Sequence, residues 1–210
     1  MKYEWRKLEK DLYGVKTKAV LLDVKEQQFI TIKGQGDPND EDFSKRIGAL
    51  YALAYGIKMN YKQAMKEVKE EQAMTDFTVY PLEGLWQQNE AGSQEALEKD
   101  KLSYTIMIGQ PDFITKEMVA QALENVKIKK PNPLYDEIDF ESIRDGKSIQ
   151  ILHIGSYDDE PESFAKLDAF AQKKGLRRSS KIHREIYLSN AARTAKDKLK
   201  TILRYQVEER

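Results

Sequence analysis

The chain states one pattern twice, and that repetition limits the fold more than any other feature of its 210 residues. The first copy runs "AVLLDVKEQQFITIKGQGDPNDEDFSKRIGALYALAYGI", then "DFTVYPLEG", then "DKLSYTIMIG". The second runs "IDFESIRDGKSIQILHIGSYDDEPESFAKLDAFAQKKGL", then "HREIYLSN", then "DKLKTILRYQV". Gly34, Asp37, Phe43 and Lys45 recur at one offset as Gly155, Asp158, Phe164 and Lys166. Tyr80 recurs as Tyr187, and Asp100-Lys101-Leu102 as Asp197-Lys198-Leu199.

Each copy reads as a strand hairpin, a helix and two further strands. The hairpin turns are "KEQQ" in the first copy and Asp145-Gly146 in the second, the latter a tight-turn dipeptide. The first helix follows "DPND", where Asn39 or Asp40 can cap and Glu41 and Asp42 suit the positive end. The second starts near Pro161, whose ring presets a first helical turn. Between the copies, "TKEMVAQALENVKIKK" is a connecting helix that stops at Pro131–Pro133. The expected fold is α+β, one domain over residues 1–210. Its parts are a first repeat at 19–109, a connector at 111–137 and a second repeat at 138–208. The strands should form an antiparallel sheet with helices on one face and a ligand cleft on the other, near a pseudo-twofold axis.

Charge and composition exclude several functions. The formal net charge is zero, so the chain lacks the basic field that displaces phosphate counterions, and direct nucleic-acid binding is not expected. The run "KKGLRRSSK" reads as a solvated face. With no cysteine there is no disulfide, thiolate metal site or cysteine nucleophile, which suits a reducing cytoplasm. The N-terminal residues have no apolar signal core, and the apolar run Ile47–Ile57 is too short to span a bilayer, so no membrane association is expected. "GQGDPND" matches neither phosphate-binding fingerprint, and its carboxylates would repel an anion. The two histidines, His153 and His183, are not at a ligand spacing on one element, so neither a metal nor another cofactor is expected.

The stretch "KIHREIYLSN", residues 181–190, carries the chemistry. A period of two puts Ile182, Arg184, Ile186 and Leu188 on one face, and His183, Glu185, Tyr187 and Ser189 on the other. A carboxylate between an imidazole and a phenol is unusual on a strand. Two readings stand: an exposed or ion-paired edge charge, or the floor of a ligand cavity. The place matching Glu185 in the first copy is Thr78, so the scaffold is duplicated and the carboxylate is not. In "VYPLEGLW", Glu83 and Trp86 flank a glycine bend, and Trp86 is suited either to wall a cleft or to pack in the core.

"GQGDPN", "YPLEGLW", "MIGQPDFI", "ILHIGSYDDEP" and "HREIYLSN…KLKTILR" together resemble the GyrI-like small-molecule-binding family, over nearly the whole chain. The resemblance implies a duplicated strand-helix-strand-strand module. It also implies kinship with effector-binding domains of multidrug-sensing regulators and with free-standing hydrolases that open cyclopropane-bearing alkylating antibiotics. Carried onto this chain, it makes Glu185 the central carboxylate, with Tyr187 beside it and Trp86, Tyr80 and Tyr157 as an aromatic wall. Many members have a histidine where Arg184 stands. One expectation is therefore a cofactor-independent hydrolase. In it Glu185 activates water, Tyr187 or Tyr80 donates to the substrate oxygen, and His183 and Glu83 complete the pocket. The alternative is a binding module that sequesters aromatic or lipophilic molecules, or one that binds another protein. The sequence does not give the oligomeric state.

Overall fold

The computed structural model describes residues 1–14, 16–68, 73–87 and 102–210. In chain order the elements are β1 (Lys2–Tyr3), α1 (Trp5–Leu8), β2 (Val20–Gln35), α2 (Glu41–Ala64), β3 (Asp76–Phe77), β4 (Leu82–Gln87), β5 (Ser103–Gln110), α3 (Lys116–Lys129), β6 (Asp139–Ile154), α4 (Glu160–Lys173), β7 (Leu176–Arg178), β8 (Ile182–Tyr187) and β9 (Lys200–Glu209). The fold is α+β. Seven strands pair in the order β6-β2-β5-β4-β8-β9-β7, and β6 also pairs with β9, so the ladder returns on itself. The Asp100-Lys101 part of the repeat lies outside the described residues.

The two expected hairpins are absent. β2 and β6 are continuous 16-residue strands that pair antiparallel with each other, from Val20↔Gln150 to Thr31↔Asp139. Asp145-Gly146 is a kink within β6 rather than a turn. Gly146 takes φ 65°, a backbone state that side chains disfavour. That kink shifts the alternation by one residue. Asp145 before it therefore reaches both Arg184 and Arg204, and Gln150 beyond it reaches Arg204 as well.

The helices α2 and α4 lie on one side. Leu50, Leu53 and Ile57 of α2 pack with Ile30, Ile32, Ile106 and Ile108, and all are 1% exposed or less. Burying each such side chain is worth about 1.5–3 kcal/mol. Leu167 and Ala171 of α4 cover Ile149, Ile151, Leu203 and Tyr205 in a second cluster. α3, capped by the Thr115 hydroxyl accepting from the Met118 amide, flanks α2. Gly56 of α2 comes so close there that a Cβ would lie 2.7 Å from Val126.

The opposite face is not a cleft. Residues 5–14 and 16 close over it: Trp5 Nε1 donates to the Val79 carbonyl, Arg204 Nη2 to Leu12 O, and the Leu152 amide to Lys16 O. Beneath this strap runs a buried charge network. Arg184 donates to Glu83 Oε2 (2.9 Å) and Asp145 Oδ1 (2.7 Å), and Arg204 to Asp145 Oδ2 (3.3 Å) and Gln150 Oε1 (2.9 Å). The Tyr13 hydroxyl donates to the other oxygen of Glu83 at 3.0 Å. Two arginines and two carboxylates balance one another where water is excluded. Among the described residues, no helix is long and apolar enough to cross a membrane.

Candidate functional site

Where β4 meets β8 the register fixes which side chains share a face. Gly84 lies opposite Glu185, Trp86 opposite His183 and Leu82 opposite Tyr187. The residues between them, Glu83 and Arg184, point into the charge network on the far side. The His183–Glu185–Tyr187 face is therefore on the helix side. This corrects the expected placement of the cleft: alternation shows which residues share a face, but not which face the helices cover.

Glu185 is held from both ends. Tyr187 donates to its Oε2 at 2.7 Å, and His183 Nε2 lies 2.8 Å from its Oε1. An ionised carboxylate only accepts, so His183 carries its proton on Nε2. Trp86 Nε1 in turn donates to the Tyr187 oxygen at 2.9 Å. The relay Trp86→Tyr187→Glu185 commits the Tyr187 proton to Glu185 and not to a ligand. Burial first, and the adjacent Glu185 next, push the Tyr187 hydroxyl well above the ordinary tyrosine range, so it stays a donor.

Gly84 makes the relay possible. A Cβ there would come within 2.5 Å of Trp86 Nε1 and 3.3 Å of the Tyr187 oxygen. Gly84→Ala is expected to displace the indole and cost about 1–3 kcal/mol, as overpacking does. Denaturant melts check this; an unchanged midpoint would mean that the indole has room to move.

The helices supply the walls. From α2, Phe43 packs on Trp86 (centroids 5.8 Å) and burial raises the Tyr51 hydroxyl, which bonds to the Leu82 backbone. On the α4 side, Phe164 sits edge-on to His183 at 4.9 Å and Tyr157 edge-on to Tyr187 at 6.0 Å. Tyr157 is 41% exposed, so it stands at the rim. Its hydroxyl is raised by burial, then by Glu185 and Glu160.

Glu160, at the start of α4, is the residue that sequence reasoning missed. It is 7% exposed, its Oε1 is buried without a partner among the described residues, and its carboxyl is within hydrogen-bonding reach of Glu185. Burial first, then the Glu185 charge, push it up to about 9. The helix N-terminus opposes this by only about 0.3–1 kcal/mol, less than one pKa unit, so burial and the like charge win. The available signal was three acidic residues, Asp158, Asp159 and Glu160, at a helix start that must cross the sheet.

Of the residues expected at the site, the structure brings together His183, Glu185, Tyr187, Trp86 and Tyr157. It does not bring in Tyr80 or Glu83. Tyr80 precedes β4 and turns to the far side, where it stacks on Trp5 (5.9 Å, 21°) and donates to Glu9. Glu83 is 0% exposed within the ion network. His153 has both ring nitrogens engaged, with the Ser163 hydroxyl (3.0 Å) and the Ser156 carbonyl (2.9 Å). Among the described residues, no cluster of three or more metal-ligating side chains occurs. A cavity of about 290 Å³ lies under the strap beside Lys10, Leu12 and Gln150, and one of about 510 Å³ at the strand ends beside Leu85, Gln87 and Ile182. Neither is lined by Glu185, whose two hydrogen-bonding partners are packed against Trp86, Tyr157 and Phe164.

No curated protein matches the chain. A structure of a hydrolase from Listeria innocua is 33% identical, with TM-score 0.86 over 99% of this chain and 100% of that one. A structure of an uncharacterised conserved protein from the same organism is also 33% identical, with TM-score 0.85 over 98% and 100%. The EcmrR C-terminal domain shares the fold at 14% identity and TM-score 0.51, covering 92% of this chain and 98% of that one. The family model described as "GyrI-like small molecule binding domain" matches residues 18–206. With that match across almost its whole length, the chain belongs to the GyrI-like small-molecule-binding family.

Proposed function

We propose that the chain binds an aromatic, lipophilic small molecule between α2 and α4 and hydrolyses strained electrophiles there, with Glu185 as the base. One observation carries the reading: a nearly buried carboxylate is oriented through both oxygens by partners that aromatic rings pack against. The site lies between two like-ordered parts, residues 19–109 and 138–208, which this reading takes as copies of one module. The hydrolase from Listeria innocua supports it at 33% identity over the full chain. For a cyclopropane conjugated to a carbonyl, Glu185 takes a proton from water as the water oxygen attacks the ring methylene. The carbon–carbon bond breaks, and its electron pair moves through the conjugated system to the carbonyl oxygen. Tyr187 and His183 hold the base in place. The step needs water alone, and it suits a cytoplasmic protective role against alkylating toxins.

The test is product formation. Incubation with a spirocyclopropyl cyclohexadienone should yield the corresponding hydroxyethyl phenol, read by mass spectrometry, above the rate in buffer. Unaltered ligand, bound tightly, would favour the second reading, a sequestering module. That alternative draws on the same geometry: both donors next to Glu185 point at it, as they would around a fixed negative charge meant for a lipophilic cation.

Ligand binding has its own readout. Trp86 lies in the relay and Trp5 on the far face, so an aromatic ligand should change the fluorescence of Trp86. Trp86→Phe is expected to remove that change and Trp5→Phe to keep it. The reverse pattern would place the ligand under the strap.

A further inference from the structure

Ring opening leaves a negative oxygen on the ligand, and the relay provides no proton for it. Tyr187 donates to Glu185, Trp86 to Tyr187, and His183 Nε2 to Glu185. Tyr80 is on the other face. Tyr157 stands at the exposed rim, and the buried group left beside Glu185 is Glu160. It is more than nine-tenths buried, and its Oε1 has no donor near it. Taken as two carboxylates, Glu160 and Glu185 would be two acceptors within hydrogen-bonding reach of each other. One proton turns that repulsion into a hydrogen bond.

We infer that Glu160 and Glu185 hold a single proton between them, with Glu160 the proton donor of the site and Glu185 its base. This rests on the hydrolytic reading and completes it. Water gives its proton to Glu185 and its hydroxyl to the ring carbon, and Glu160 gives its proton to the oxygen that receives the electron pair. The product is the neutral hydroxyethyl phenol. Glu185, now protonated, passes its proton across the pair to Glu160, and the site returns to its starting state. One water is consumed, and no proton is gained or lost. The titratable groups packed about Glu160 are Glu185, with His183 and Tyr187 behind it on β8, and Tyr157 in the turn before α4. On neighbouring β6 stands His153, held by Ser163 and Ser156. The charge acting on Glu160 is that of Glu185, which together with burial keeps it protonated up to about pH 9.

Glu160→Gln keeps the shape and a donor, but has no proton to release. With the spirocyclopropyl cyclohexadienone as probe, its turnover should fall about 10²-fold at equal occupancy, as judged by Trp86 fluorescence. The wild-type rate should decline through about pH 9, and the variant should lack that limb. Infrared difference spectra at pH 7.5, wild type minus Glu160→Gln, should show the carbonyl stretch of one protonated carboxyl. Turnover by the variant at the wild-type rate would overturn the donor assignment. Absence of the protonated-carboxyl band would overturn the inference whatever the rate. A band without turnover in the wild type would remove the hydrolytic reading while upholding the shared proton.

Discussion

Arg184→Met is expected to destabilise the fold by about 3–5 kcal/mol, the usual cost of leaving a buried charge without its partner. Arg184 bridges Glu83 and Asp145. Without it, Glu83 keeps only the Tyr13 hydroxyl, which cannot neutralise a carboxylate that is 0% exposed. Asp145 retains Arg204, so the damage centres on Glu83. Arg184 itself pays for burial, which lowers its pKa, but the adjacent Glu83 and Asp145 outweigh this and hold it above the ordinary arginine value. For a domain of this size the loss corresponds to a fall in Tm on the order of 10 °C. Glu83→Gln combined with Arg184→Met should recover part of the loss, because the orphaned charge is gone. Denaturant melts of both variants check the argument. A single variant within about 0.5 kcal/mol of wild type would mean that water reaches the network.

The network also shows what the sequence could and could not express. Alternation in "HREIYL" correctly put His183, Glu185 and Tyr187 together and Arg184 with Ile186. It suggested core for the second set, and Ile186 is core, but Arg184 there has an ionic partner set that no local pattern announces. The side occupied by the helices was not legible either. It depends on which face of β4 and β8 meets Phe43 and Phe164, residues far away in the chain. Gly146 was read as a hairpin turn because Asp-Gly favours one. The same left-handed backbone also serves as a kink, and only long-range pairing with β2 decides between them. Tyr80 was matched to Tyr187, yet Pro81 separates it from β4, and the tyrosine turns to the Trp5 side. Thr78, matched to Glu185, likewise lies before β4 and has no place on the strand that pairs with β8. Glu160 looked like an ordinary acidic helix start. Its burial follows from how α4 packs on the sheet, which sets Phe164 against His183, a fact of packing and not of spacing.

The largest effect on function is expected at Glu185. Glu185→Gln keeps volume and planarity, so the aromatic walls should still accept a neutral ligand. The fold should persist, with a stability change within about 1 kcal/mol, because two opposing effects meet. The amide offers one acceptor oxygen where the carboxylate offered two, so the bond from Tyr187 or from His183 is lost, which costs about one hydrogen bond. Against this, removing the Glu185 charge lessens the cost of keeping buried Glu160 protonated at neutral pH. Turnover should fall by about 10²-fold or more, the range for a lost general base. A lipophilic cation should also bind more weakly, whereas a neutral analogue should not, and that contrast separates the charge of Glu185 from its shape.

The most direct measurement is product formation from the spirocyclopropyl cyclohexadienone by wild type and Glu185→Gln, with occupancy matched through Trp86 fluorescence. The account predicts hydroxyethyl phenol from the wild type and at most about a hundredth of that rate from the variant. Equal rates from the two proteins would contradict it.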